Sequence, residues 1–292
     1  MNTGVEKKPV WLRRRFAADP NMSLTEKILG DLNLNTVCRE ALCPNYAECF
    51  SKKTATFMIL GVNCTRNCRF CNVAHGLPED VDADEPARIG LAVARLGLRY
   101  TVVTSVTRDD LPDGGAGQFA AVVEEIRRQS PETAVEVLIP DFRGDEDALR
   151  TVAAAHPTVI SHNMETVKNL YGSVRPEAEY ERSLRVVANI KKTDASIHSK
   201  SGVMVGLGET KEQVLSLMDD LRAADCAFIT IGQYLAPSKA HHAVVEYIRP
   251  DVFAEYAQCA RDKGFDFVAS APFVRSSYRA EEALETGGTA LP

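Results

Sequence analysis

Short apolar runs alternate along the chain with longer amphipathic stretches. Six runs, TATFMILG from Thr54, YTVVTSV from Tyr100, AVEVLIP from Ala134, TVISHNME from Thr158, SGVMVGLGE from Ser201 and AFITIGQYL from Ala227, are brief, rich in β-branched residues and bounded by Gly, Pro, Asp or Asn. That is the pattern of strands buried on both faces. Between them, ARIGLAVARLG, GQFAAVVEEIRRQ, DEDALRTVAAA, EYERSLRVVANIKK and KEQVLSLMDDLRAA carry apolar residues at helical spacing. Strand and helix in alternation predict βαβ crossovers and a parallel sheet. Six such units, two short of a full eightfold barrel, predict an α/β fold: a partial (β/α)6 TIM-like barrel.

The flanks read as extensions. Residues 1–53 hold a basic arm, KKPVWLRRRF, taken as solvated, a helix near SLTEKILGDL, and the cysteine-bearing CREALCPNYAECF. Residues 54–248 form the barrel. Residues 249–292 hold a helix near PDVFAEYAQCARDKG, a terminal strand FDFVASA, the stretch PFVRSSYRAEEAL and a closing ETGGTALP that reads as a mobile tail. In parallel barrels the chemistry gathers at the carboxyl rim. The residues that follow the six runs are polar and unusual: NCTRNCRFC, TSVTRDD, PDFRG, SHNMET, GLGET and GQYLAPS.

Composition narrows the classes. With 292 residues, 45% hydrophobic and 25% charged, the chain is ordinary globular material. A net charge of −6 speaks against a nucleic-acid partner, which would need clustered Lys and Arg. No apolar run approaches the ~20 residues that cross a bilayer, and the first thirty residues lack a secretory signal. No membrane partner is expected, and the expected location is cytoplasmic. In a reducing compartment eight cysteines are not a disulfide framework, and six of them lie between Cys38 and Cys71, which points to metal.

Cys64, Cys68 and Cys71 follow the first barrel strand with spacing C-x-x-x-C-x-x-C. A triad without a fourth Cys does not make a closed structural zinc site. Soft thiolates select iron–sulfur clusters, and three of them on a four-iron cube leave one iron open. Cys38, Cys43 and Cys49 form a second triad that also lacks a fourth ligand. Cys226 and Cys259 lie in apolar-periodic contexts and read as small buried hydrophobes.

CTRNCRFC, with Phe70 just before its last Cys, resembles the cluster motif of the radical S-adenosylmethionine superfamily. The resemblance implies a [4Fe–4S] cluster on Cys64, Cys68 and Cys71 whose open iron chelates the amino and carboxylate groups of S-adenosyl-L-methionine, and one-electron cleavage to a 5′-deoxyadenosyl radical. Taken with CREALCPNYAECF, HNMETV, RPEAEYERSL, SKSGVMVGLGET, TIGQYLAPS and RSSY, in order over nearly the whole chain, the sequence resembles the branch of that superfamily that builds lipoyl groups by sulfur insertion. This implies that the extensions carry an auxiliary [4Fe–4S] cluster held by Cys38, Cys43, Cys49 and a serine of RSSY, Ser277, with Ser276 the alternative. That cluster would be consumed as its sulfides enter C6 and C8 of a protein-bound octanoyl-lysine. The implied partners are octanoylated lipoyl carrier proteins (the glycine cleavage H protein or 2-oxoacid dehydrogenase E2 lipoyl domains), a low-potential electron donor (ferredoxin or flavodoxin) and a cluster-repair carrier. A hard alkoxide is a poorer match to iron than a thiolate, so the serine corner should be the labile one.

Other residues carry weaker signals. Asn163 and Glu165 fall where the fourth strand delivers polar atoms to the rim, and could bond the ribose or the methionine end of the cofactor. Arg175 and Lys200 are carboxylate partners or solvated charges. Asp109 and Asp110 either orient the cofactor's ammonium group or cap the next helix. His162 reads as a structural hydrogen-bonder, the glycines of VGLGE as a close backbone approach to the adenine, and Arg275 as a loop holder, a guard of cluster charge or a surface cation. The rival readings are another sulfur-inserting enzyme of the biotin-synthase kind and a non-catalytic zinc-binding docking module.

Overall fold

Eight strands lie in one sheet in chain order: β1 Asn35–Thr36, β2 Thr56–Ile59, β3 Tyr100–Ser105, β4 Ala134–Leu138, β5 Val159–Ser161, β6 His198–Val205, β7 Phe228–Gln233 and β8 Phe267–Ser270. The computed structural model describes residues 8–13 and 19–286; the closing residues of the tail and Lys7, Arg14, Arg15 and Phe16 of the basic arm fall outside them. β1 pairs antiparallel with β2, and every other neighbouring pair is parallel. β2 to β7 are the six runs seen in the sequence. β8, the expected terminal strand, adds one more parallel member, and β1 and β8 remain the two edges of a sheet that curls without closing.

The helices are α1 Pro20–Asp31, α2 Val37–Glu40, α3 Tyr46–Ser51, α4 Glu85–Leu96, α5 Ala116–Gln129, α6 Glu146–Ala154, α7 Tyr171–Val174, α8 Tyr180–Thr193, α9 Lys211–Ala223, α10 Pro250–Asp262 and α11 Glu282–Thr286. Local chemistry sets their starts. The Asp145 side chain caps α6 through the N–H groups of Asp147 and Ala148, and Thr210 with Gln213 forms a capping box on α9. Among the described residues no helix is long and apolar enough to cross a membrane.

Side chains alternate across the sheet as strand geometry requires. Val103, Val135, Val137 and Ile160 point outward into the helical layer, packing with Phe119, Val122, Leu149 and Val152. Tyr100, Val102, Ala134, Val159, Phe228 and Phe267 point inward, where Ala280, Ala283 and Leu284 of the carboxyl-terminal segment cover them. That segment therefore fills the space that closure of the sheet into a barrel would have sealed. Two glycines admit it. A Cβ on Gly232 would lie 2.0 Å from the carbonyl oxygen of Val274, and one on Gly202 would lie 2.9 Å from Ser276 Oγ.

β6 begins three residues ahead of the apolar run that announced it, because Ser199 and Lys200 are polar yet fully buried. Each is partnered: Ser199 Oγ donates to the Asp225 carbonyl at 2.6 Å, and Lys200 Nζ donates to Glu136 Oε2 at 2.8 Å. Lys200 and Glu136 are both 0% exposed, and Tyr100 Oη donates to the same carboxylate oxygen at 2.6 Å. Removing one member of such a pair strands the other charge away from water. Lys200→Met should cost about 3–5 kcal/mol in denaturant unfolding, and Lys200→Met with Glu136→Gln should recover a large part of that loss.

Candidate active site

After β2 the backbone turns through Leu60 (φ 69°) and Gly61 (φ 92°) into the loop that carries Cys64, Cys68 and Cys71. The loop is fastened from several sides. Cys64 Sγ accepts N–H groups from Arg66 at 3.4 Å and Thr107 at 3.3 Å, and the Thr65 N–H donates to the Thr107 carbonyl at 3.0 Å. From the segment after β7, the His242 N–H donates to the Arg69 carbonyl at 2.8 Å, and His241 Nε2 lies 3.1 Å from the Cys71 carbonyl oxygen.

Arg66, inside the motif, makes the deepest anchor. Its guanidinium donates twice to Asp109, at 2.6 and 2.8 Å, and once to Asp141 at 2.7 Å; Arg182 of α8 meets Asp141 from the other side at 2.7 Å. Burial opposes ionisation of Asp141, but Arg66 foremost, with Arg182 among the lesser contributions, outweighs it and holds the carboxyl well below its usual range. Asp109 thus neither caps α5, whose N-cap is Gly115, nor faces an open rim; Asp110 pairs with Arg108 at 2.8 Å.

Burial pushes the Cys71 thiol up to about 12 and raises Cys68 as well. Three soft thiols in one loop, with N–H donors already aimed at the Cys64 sulfur, are a donor set that iron would complete.

Next to this loop the chain after β5 presents Asn163 and Glu165. Asn163 is 7% exposed. Its Nδ2 donates to Glu165 Oε1 at 2.9 Å and to Ser276 Oγ at 2.6 Å, while its Oδ1 is buried with no partner. Glu165 has φ 64° and is locked against β6 by the Glu165 N–H to the Gly202 carbonyl and the Met204 N–H to the Glu165 carbonyl, both at 2.9 Å. Burial raises its carboxyl, with Arg175 opposing. Arg175 is buried, not solvated: its Nη1 donates to the carbonyls of Asn163 at 2.8 Å and Met164 at 3.2 Å, its cation lies 5.3 Å from the Tyr171 ring centroid, and its Nε has no partner. Arg175 also faces Cys68, whose thiol it draws down against burial.

The structure corrects the readings of Lys200 and of the VGLGE glycines and bears out that of His162. Lys200 is not at the rim but in the buried pair with Glu136. His162 is a structural group: Nδ1 lies 2.9 Å from the Ile139 carbonyl oxygen, and burial pushes the ring down to about 4, so it is neutral at pH 7. The backbone that closely approaches Gly206 is the protein's own, since a Cβ there would lie 2.4 Å from the Glu246 carbonyl oxygen; Glu209 bonds the N–H of Leu207 at 2.9 Å and closes that turn.

A second cluster of donors forms between the two extensions. Cys38 on α2, Cys43 in the loop beyond it and Cys49 on α3 line one cavity of about 610 Å³, its open mouth included, together with Thr56, Tyr100, Arg275, Ser277 and Tyr278. Ser277 Oγ accepts from Thr56 Oγ1 at 2.8 Å. Ser276 does not line this cavity; its hydroxyl is taken by Asn163, so the structure separates the two serines. Burial pushes Cys38 up to about 11 and Cys49 up to about 12, with neighbouring thiols adding to both. Three thiols and a hydroxyl around one cavity suit a four-iron cube with one hard corner. The carboxyl-terminal segment is stitched to the wall: Asn45 Nδ2 donates to the Phe273 carbonyl at 2.8 Å and Tyr278 Oη donates to Glu48 at 2.9 Å. Arg275 lines the cavity, partly buried, and its charge opposes the burial that raises Glu165. Among the described residues, no three His, Cys, Asp or Glu side chains close around a single metal ion.

Sequence reasoning gave Thr56, Arg66 and Tyr100 no role. Thr56 and Tyr100 were hidden inside apolar strands. Arg66 carried a legible signal, a cation between two thiols, whose carboxylates arrive only from later loops.

A parallel, unclosed barrel with three thiols on the loop after its first parallel strand defines a radical SAM protein, and the Radical SAM superfamily model matches residues 58–221. Among solved structures the chain is similar to HydG, a maturase of the [FeFe]-hydrogenase (TM-score 0.58, 14% identity, 95% of this chain and 61% of that one), and to SuiB of Streptococcus suis bound to S-adenosylmethionine (TM-score 0.57, 9% identity, 77% and 54%). These share the fold. Curated lipoyl synthases are far nearer in sequence: that of Caldicellulosiruptor saccharolyticus is 59% identical over 96% of this chain and 98% of its own length, and that of Alkaliphilus metalliredigens 53% identical over 96% and 97%. The chain belongs to the lipoyl synthase family of radical SAM enzymes.

Arg66→Gln should leave the Asp109 and Asp141 carboxylates underpaired and the cysteine loop loose. The expected outcome is a loss of about 3 kcal/mol in unfolding stability and less than half the wild-type retention of the loop's cluster, read by iron content and electron paramagnetic resonance after anaerobic reconstitution.

Proposed function

We propose that the enzyme inserts two sulfur atoms, at C6 and C8, into an octanoyl group amide-linked to a lysine of a lipoyl carrier protein. The single observation that carries this reading is the cavity that gathers Cys38, Cys43, Cys49 and Ser277, one residue along the chain from the Ser276 that Asn163 holds. In this reading Cys64, Cys68 and Cys71 hold the [4Fe–4S] cluster that works with S-adenosyl-L-methionine. When bound, that pair supplies a 5′-deoxyadenosyl radical able to take hydrogen from an unactivated C–H bond.

The chain's own residues do the rest. Asn163 offers its unpartnered Oδ1, and Glu165 its carboxylate, to hydroxyl or ammonium groups of the cofactor. Arg175 fixes the carbonyls of Asn163 and Met164, so it positions that loop. The carboxyl-terminal segment covers the barrel interior and excludes water from it, which a reactive radical requires. Cys38, Cys43, Cys49 and Ser277 hold the second [4Fe–4S] cluster, a co-substrate whose sulfides end on the octanoyl chain. Ser277 supplies the hard corner where dismantling starts.

The partners of this reaction are the octanoylated H protein or E2 lipoyl domain, a low-potential ferredoxin or flavodoxin as electron donor, and a carrier that rebuilds the spent cluster. Cytoplasmic location fits this set. Residues 1–53 and 249–292 work as one unit around the cavity, and residues 54–248 as the radical-forming barrel.

Anaerobic wild-type protein should hold about eight irons, two cubes of four, and convert an octanoyl-lysine peptide to a product heavier by two sulfurs. Cys43→Ala should still form 5′-deoxyadenosine but yield no sulfur-bearing product, measured by mass spectrometry. Cys68→Ala should abolish both. Deoxyadenosine without sulfur transfer from the wild type would discard the specific activity.

A further inference from the structure

The Tyr278 N–H donates to the Arg275 carbonyl at 3.0 Å, closing a turn whose two central residues are Ser276 and Ser277. These neighbours serve different sites. Ser276 Oγ is held at 2.6 Å by Asn163 Nδ2 in the cofactor pocket, and Ser277 Oγ lies in the cysteine-lined cavity, 2.8 Å from Thr56 Oγ1. The central residues of a tight turn share the peptide between them, so one cannot rotate without disturbing the other.

Behind the contact there is no slack. A Cβ on Gly202 would come within 2.7 Å of Asn163 Oδ1 and 2.9 Å of Ser276 Oγ, so the β6 backbone is pressed against the pair. The Asn163 amide is only half satisfied. Its Nδ2 is bonded twice, while Oδ1, on a side chain more than nine-tenths buried, has no donor. A buried carbonyl oxygen without a donor is unfavourable, and a ligand that brings one fixes the amide plane.

We infer that Ser276 is a positioning residue that couples the cofactor pocket to the serine corner of the auxiliary cluster. A donor from S-adenosyl-L-methionine on Asn163 Oδ1 immobilises the amide, the amide holds Ser276, and the shared turn keeps Ser277 in the cavity. This rests on the cluster assignments proposed above. The coupling is reciprocal: a cluster that holds Ser277 strengthens cofactor binding by the factor with which the cofactor protects that corner.

The test uses anaerobic, fully loaded protein without reductant and follows iron release to a ferrous chelator, with and without S-adenosyl-L-methionine. In the wild type the cofactor should slow release from the auxiliary cluster by about 2- to 10-fold, the range one hydrogen bond supports. Ser276→Ala, with its iron content and circular dichroism intact, should lose that protection; Gly202→Ala, which wedges the same contact, should lose it too. Cofactor affinity, measured by equilibrium binding, should fall by the same factor in Cys43→Ala. Undiminished protection in Ser276→Ala, or no protection in the wild type, would overturn the coupling. A starting content of about four irons instead of eight would overturn the cluster assignment instead, so the two failures are distinguishable.

Discussion

The carbonyl oxygen of Val274 occupies the place where a Cβ of Gly232 would stand, 2.0 Å from it. Backbone against backbone at that point is the contact on which the rest of the site depends. It lets the segment after β8 descend into an unclosed barrel, with Ser276 against β6 and Ser277 in the cavity of the amino-terminal extension. Below them Ala280, Ala283 and Leu284 close the floor over Tyr100, Val102 and Phe267. Two edge strands left apart in the sheet would otherwise expose the barrel interior to water, which radical chemistry does not tolerate.

Two buried charge networks lie near the thiol sets. Beneath the first set, Arg66, Asp109, Asp141 and Arg182 tie three βα loops to one another. Near the second, Tyr100 lines the cavity and donates inward to Glu136, which pairs with Lys200. Neither network contributes much net stability, because desolvation offsets the attraction. What they contribute is a fixed geometry, since every alternative leaves a charge buried alone. Four of the thiols are the reverse case: burial raises Cys38, Cys49, Cys68 and Cys71 and favours their protonated form, and a metal bound there would take the proton's place.

Much of this was legible in the chain. The six parallel barrel strands follow the apolar runs because a strand buried on both faces has to be apolar, and the helices follow their 3.6-residue stripes. Legibility failed where a buried polar residue is satisfied by a distant partner. Lys200 was left between a carboxylate partner and a solvated charge because Glu136 lies 64 positions away, and the start of β6 was lost for the same reason. Arg175 read as either a carboxylate partner or a solvated charge, since the carbonyls it binds are set by a loop conformation that includes a positive φ at Glu165. The cysteine spacings were the strongest signal. Ser277 was preferred to Ser276 only through the family resemblance, because their difference lies in which wall of the turn each one meets.

The central claim is that one turn stands between two iron–sulfur sites. Neighbouring Cα atoms lie about 3.8 Å apart, and with a side chain's reach on either side the clusters should lie within about 20 Å of each other. Pulsed electron paramagnetic resonance on the anaerobically reduced protein measures this directly. The account predicts a resolved magnetic interaction between two paramagnetic [4Fe–4S] centres that vanishes in Cys43→Ala. Two reduced clusters with no measurable interaction, or one cluster only, would contradict it.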